Sequence, residues 1–221
     1  MFFRNKIHVL LLLWVALTLT SPAQTFTKLL DFNGGNGALP YYMSLLQGTS
    51  GSLYGTDTTG GASGTYGTVF KITVGGSLTT LHSFSNSSDG ASPAATLLQA
   101  SDGNFYGADG AGPDGGGTVF KITPAGTLTT LHSFLCNQSS CPEGGGPSAV
   151  IQGRDGNFYG TTSAGGPHGG GTVFRITPTG TLTTLYSFCS LAYCVDGRNA
   201  VNTLVQGRDG NFYGTAAGGW E

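Results

Sequence analysis

Apolar residues in this chain fall in short runs separated by glycine-rich breaks, and no stretch spaces them at i, i+3, i+4, i+7 across a helix length. Short runs rich in Val, Ile, Phe, Tyr and Thr read as β-strands. The sequence TVFKIT at 68–73 and 118–123, and TVFRIT at 172–177, is followed by VGG, PAG or PTG and then by SLTTLHSF, TLTTLHSF or TLTTLYSF. Pro124 and Pro178 suit the second position of a turn, and the glycine two residues later supplies the left-handed dihedral. A second hairpin precedes each of these, as in LLQASDGNFYG (97–107), VIQGRDGNFYG (150–160) and LVQGRDGNFYG (204–214). Asp-Gly between two apolar runs is a strong hairpin signal, because glycine takes φ > 0 without steric cost. Almost no helix is expected after the N-terminal segment.

Two hairpins make a unit of four strands. The recurring Phe32, Phe84, Phe134 and Phe188 set its period at 50 to 54 residues. A four-stranded unit of that length matches one blade of a β-propeller. One such sheet cannot cover both its faces alone, but stacking against copies covers them. Val69, Phe70, Ile72, Leu78 and Leu81, apolar on both faces of their strands, fit that arrangement. A stacked β-solenoid is the rival, but its rungs are shorter and lack paired tight hairpins. The expected fold is therefore an all-β, propeller-like array with units at 33–84, 85–134, 135–188 and a partial 189–221. A lone strand, Thr25–Phe32, corresponds to the last strand of a unit and brings the expected total to fifteen. Because the fourth copy stops in the glycine-rich loop before another TVFKIT, the chain is expected to be the N-terminal part of a longer array.

The first residues follow a different pattern. Arg4 and Lys6 precede an apolar run from Ile7 to Leu19, and Ser21-Pro22-Ala23 supplies small residues for a cut before Gln24. This reads as a secretory signal peptide over 1–23, too short in its apolar part for a membrane span of about 20 residues. No membrane span is expected after cleavage. The remaining chain carries seven Lys/Arg against eleven Asp/Glu, with the acids spread singly. Nothing in it would neutralise a phosphate backbone or an anionic lipid surface, so nucleic acid is excluded as a partner. The 39 glycines raise the question of disorder. Their fixed places at turns and loop ends, between β-branched and aromatic runs, answer in favour of an ordered fold.

The units YGTTSAGG…GGGTVFRITPTGTLTTLYSF and PSAVIQGRDGNFYG resemble the GloVer tandem repeat of secreted bacterial proteins with a choice of C-terminal anchor. RDGNFYGTT is also similar to the DGNxWxGT hairpin of the propellers in two-component regulators. The resemblance covers essentially everything after residue 23. It implies export and surface display, and brings no known activity or catalytic residues. Against the family pattern, no sorting or anchoring tail is met in the sequence as far as Glu221, and attachment is left open.

Few residues suggest chemistry. Cys136 and Cys141, and Cys189 and Cys194, share a C-x4-C spacing in equivalent loops. In an exported chain these read as disulfides, and of the three possible pairings the local ones need the least chain movement. The alternative, a four-thiolate metal site, would need loops more than 50 residues apart to converge without a nearby histidine. His82 and His132 share one repeat position with Tyr186 and Asp31 and read as packed strand residues. Tyr66, Asp114 and His168 are the variable members of equivalent loops, and variation on a rigid scaffold is what a binding rim would show. The glycine-rich loops run into strands rather than helices and make no phosphate cradle. The Asp-Gly turns offer one carboxylate each, at Asp102, Asp155 and Asp209, which falls short of a calcium loop. No catalytic set, cofactor or metal is expected.

The expected function is an exported, cell-surface binding or interaction module whose partner is a polysaccharide or another surface protein. Two rivals remain at this stage. One is a polysaccharide-acting propeller enzyme, lyase or hydrolase. The other is a structural spacer that presents another domain.

Overall fold

The structure, a computed structural model, describes residues 26–38, 40, 44–62, 64–137 and 140–218. The expected signal segment lies outside these residues. Within them the chain is all-β, with no α-helix and a single 3-10 turn at Ala192–Cys194. The first unit is an antiparallel sheet of β1 (Leu46–Gln47), β2 (Leu53–Asp57), β3 (Thr68–Ile72) and β4 (Leu78–Ser83), paired in chain order. The second repeats it as β5 (Leu98–Gln99), β6 (Phe105–Asp109), β7 (Gly115–Ile122) and β8 (Leu128–Leu135). In the third the first strand is split into β9 (Gly145–Pro147) and β10 (Ile151–Gln152), both paired with β11 (Phe158–Ala164), followed by β12 (Thr172–Ile176) and β13 (Leu182–Ser187). The fourth contributes β14 (Val205–Gln206) and β15 (Phe212–Tyr213).

The core lies between units rather than within them. One cluster joins Tyr54, Val69 and Phe84 of the first unit to Leu97, Phe105, Phe120 and Ile122 of the second. The next joins Tyr106, Val119 and Phe134 of the second to Val150, Phe158, Phe174 and Ile176 of the third. Two aromatic contacts recur along the array, the first at three junctions and the second at two. The Tyr of each FYG or LYG packs on the next unit's Phe, as in Tyr54–Phe105, Tyr106–Phe158 and Tyr159–Phe212, with centroids 4.0 to 4.1 Å apart. The Phe closing each unit meets the Phe of the next TVF edge-on, as in Phe84–Phe120 at 5.5 Å and Phe134–Phe174 at 5.3 Å. Each fully buried ring removes enough apolar area from water to stabilise the junction by about 1.5–3 kcal/mol.

The expected strand Thr25–Phe32 is a correction. Its described residues, 26–32, form no ladder. A last strand pairs only with the third strand of its own unit, as β4 pairs with β3, and residues 26–32 make no such pairing. The segment keeps the packing of a last strand without the pairing. Phe32 meets Phe70 edge-on at 5.3 Å. A side chain on Gly76 would strike the Leu29 carbonyl at 2.6 Å, as one on Gly126 would strike Leu81 at 2.5 Å.

The strand directions sort the connections to two ends of the molecule. At the turn end lie the tight Asp-Gly and Pro-x-Gly turns. At the loop end lie the longer loops joining second to third strands and each unit to the next.

Candidate functional site

The turn end is built from one device used repeatedly. Asp102 accepts hydrogen bonds from the Asn104 backbone N–H and side-chain amide and from the Tyr106 hydroxyl, at 3.1, 2.8 and 2.8 Å. Asp155 and Asp209 do the same with Asn157 and Tyr159, and with Asn211 and Tyr213. In the first unit Ser50 stands in for the aspartate, 3.4 Å from the Tyr54 hydroxyl. The bonds from Asn157 and Tyr159 hold the Asp155 carboxyl below its usual range, against slight burial. At Asp102 burial acts upward, but the bonds from Asn104 and Tyr106 outweigh it. Glutamines then tie each turn to its neighbour: the N–H groups of Thr49, Ser101 and Arg154 donate to Gln99, Gln152 and Gln206, at 2.9 to 3.0 Å. The carboxylates are spent on turn geometry and the glutamines on inter-unit register.

The loop end varies from unit to unit. Cys136 is bonded to Cys141 and Cys189 to Cys194, so each disulfide staples a single loop. His82 Nε2 lies 3.0 Å from Asp89 and His132 Nε2 2.9 Å from Glu143, while the Tyr186 hydroxyl donates to Asp196 at 2.7 Å. Each ring also meets the closing Phe of its unit edge-on. The expectation of packed strand residues missed these acid partners. Their signal was present in the sequence: Asp89, Glu143 and Asp196 each directly precede a glycine at the same place in the repeat.

Two carboxylates at this end are fully buried, Asp57 at the tip of β2 and its equivalent in the second unit. Asp109, at the tip of β6, accepts hydrogen bonds from the Thr118 backbone N–H, at 3.0 Å, and from its hydroxyl. Burial pushes its pKa up to about 7, against the lowering effect of Thr118 and the backbone groups of Ala91 and Ala111. The third unit places Thr162 at this position, where it bonds the Thr172 hydroxyl and N–H, both at 2.9 Å. Either side chain is held down by a glycine with positive φ. A Cβ on Gly90 would lie 2.1 Å from Asp109, and one on Gly144 2.2 Å from Thr162.

A hollow of about 310 Å³ opens where the segments leading into β5, β10 and β14 converge. Ala94, Ala95 and Thr96 line one side, Ser148 and Ala149 the next, and Val201, Asn202 and Thr203 the third. Its described lining holds hydroxyls and an amide but no ionisable side chain. Ser148 is turned to the Thr161 hydroxyl at 2.7 Å, and the Asn202 amide donates to Thr215 at 2.9 Å. Sequence reasoning passed over these residues because they are small and carry no chemistry of their own. The trace they leave is a short segment of small residues before the second LLQ and before VIQ, Ala94-Ala95-Thr96 and Ser148-Ala149. Tyr66, Asp114 and His168 lie on the second-to-third-strand loops of three successive units. Tyr66 is half-buried against the first core cluster, whereas Asp114 and His168 are exposed. None of the three is among the residues lining the hollow. Among the described residues no three His, Cys, Asp or Glu side chains gather as a metal cluster, and no helix is long and apolar enough to cross a membrane.

Several solved structures align with the chain at low sequence identity. The extracellular domain of a protein assigned as a one-component system from B. thetaiotaomicron aligns over 85% of the chain, with 11% identity and a TM-score of 0.55. A protein assigned as a gluconolactonase aligns over 79%, with 14% identity and a TM-score of 0.48. The PQQ-bound aldose sugar dehydrogenase of Streptomyces coelicolor aligns over 83%, with 16% identity and a TM-score of 0.48. The chain spans 22%, 55% and 58% of the lengths of these three proteins. No curated protein matches it in sequence. The pattern of the Gloeobacter/Verrucomicrobia repeat matches residues 15–145 and again 136–221. With both matches falling on the stacked units described above, the chain belongs to the Gloeobacter/Verrucomicrobia repeat family.

Proposed function

We propose that this chain is an exported, cell-surface repeat protein that acts as a binding module for a neutral polysaccharide or another surface protein, with the loop end as its contact surface. The observation that carries the reading is the hollow where three units converge, neutral and lined by hydroxyl and amide groups, on a scaffold whose aromatic junctions fix its walls. Small polar walls suit a hydroxyl-rich ligand, and rigid walls lower the ordering cost of binding. The two loop disulfides and the repeat family support export, since disulfides persist in oxidising compartments. The described lining offers no acid and base pair to assist hydrolysis, which favours binding over catalysis.

The test is a glycan array, paired with pull-down from surface extracts, using the chain and its Ala94→Trp variant. Ala94 is exposed at the rim, so the indole would obstruct the hollow without entering the core. Retention of a neutral glycan or surface protein by the parent alone is the expected result. Absence of any partner, or equal capture by both proteins, would overturn the proposal.

A further inference from the structure

The internal repeat singles out one residue lining the loop-end hollow. After the Tyr-Gly of each complete unit's second strand comes Thr56, Ala108 or Thr161, facing Val69, Val119 and Val173 in the ladders. The two threonines are fully buried and reach across to the next unit. The Thr56 hydroxyl donates to the Ala95 carbonyl at 3.3 Å. The Thr161 hydroxyl donates to the Ala200 carbonyl at 2.8 Å, with the Asn202 carbonyl at 3.5 Å. Ala95, Ser148 and Asn202 are equivalent, each three residues before the start of β5, β10 or β14. At the junction of the second and third units Ala108 has no hydroxyl to give. Among the described residues no backbone N–H outside the strand ladders and no side chain donates to the Ser148 carbonyl. The Ser148 hydroxyl is itself committed to Thr161, at 2.7 Å. Ala108 and Ser148 both line the hollow, so the donor is missing at its wall. Both units at this junction carry all four of their strands.

We infer that the Ser148 carbonyl accepts a hydroxyl of a bound neutral sugar, in the place where Thr56 and Thr161 serve the flanking junctions, and that Ala108 is the residue that sets this specificity. The inference rests on the proposed binding of a neutral polysaccharide at this hollow. A carbonyl in a partly enclosed site, kept from any internal donor, favours a ligand that brings one. The selection is for a donor: an ether or a fluorine at the same sugar position could only accept, and would meet the carbonyl with like polarity.

Ala108→Thr carries the solution that the flanking junctions already hold, and Ala108→Val has nearly the same shape without the hydroxyl. In the absence of sugar, Ala108→Thr is expected to have a higher thermal midpoint than Ala108→Val, since only threonine supplies the donor. Equal midpoints, or a lower one for threonine, would overturn the inference before any ligand is added. Cellohexaose, xylohexaose and mannohexaose are then titrated calorimetrically into the full chain and into Ala108→Thr. The expected result is that a sugar bound by the parent binds the variant at least tenfold more weakly. Equal binding would overturn the inference and leave the binding reading standing. Binding of none of the three by the parent would overturn the assignment of this carbonyl to a sugar.

Discussion

The two ends of this molecule hang from the same strands and are built in opposite ways. At the turn end three units repeat one arrangement of Asp, Asn, Tyr and Gln almost residue for residue, and the first varies it by placing Ser50 for the Asp and Ser52 for the Asn. At the loop end equivalent positions hold His, His and Tyr, or Asp, Asp and Thr, and two of the loops carry disulfides. The turn end fixes the spacing of one unit against the next, and a change there is felt at the junction. The loop end is released from that duty by the aromatic pairs beneath it. Divergence on a fixed frame is the physical condition for a surface that recognises something.

The largest test of this contrast lies between the ends. Phe174 is fully buried and joins two units through Phe134. Phe174→Ala is expected to cost about 3–5 kcal/mol, read as a fall in the denaturation midpoint for the described array as one body. Early loss of the third unit alone would break the picture of shared junctions.

Asp109 gives the next effect, with a definite sign. Its folded pKa of about 7 lies above the usual value of 3.8, so the folded state holds the proton more tightly. Stability therefore falls as pH rises from about 4 to about 7 and is level above that, as far as this group contributes. Asp109→Thr, the solution used at Thr162, is expected to flatten that slope and to raise stability at pH 8 by roughly 1–3 kcal/mol. Parallel pH profiles of the two proteins by chemical denaturation would check it.

Much of this organisation was legible in the sequence, and what was missed has common causes. The four-strand unit was readable because Asp-Gly and Pro-x-Gly turns have local chemistry that neighbours do not override. The first strand was misjudged because TFTKLLDF has the composition of a last strand, while a strand also needs a ladder partner and residues 26–32 form none. The loop-end hollow was invisible because Ala94, Ser148 and Asn202 gain meaning only when three units converge. Asp109 looked like any strand-end carboxylate; its burial depends on Thr118 and Gly90, one from the next strand and one from the preceding loop.

Smaller effects sharpen the contrast. Replacing Cys189 and Cys194 together by Ser is expected to cost about 2 kcal/mol, the entropy of one short loop, with the rest of the array unchanged by hydrogen exchange. Asp155→Ala removes the acceptor for Asn157 and Tyr159 and is expected to cost about 1–2 kcal/mol. His168→Ala, at an exposed loop position, is expected to change stability by no more than about 0.5 kcal/mol. A larger loss at His168 than at Asp155 would reverse the assignment of frame and surface.

The division of labour between the ends is tested most directly by calorimetric titration of an array-selected glycan into the parent chain, Ala94→Trp and Asp155→Ala. The account predicts that binding is abolished by Ala94→Trp and kept within about twofold by Asp155→Ala, measured where both variants are folded. Binding that survives the obstructed hollow, or that is lost on changing the turn, would contradict it.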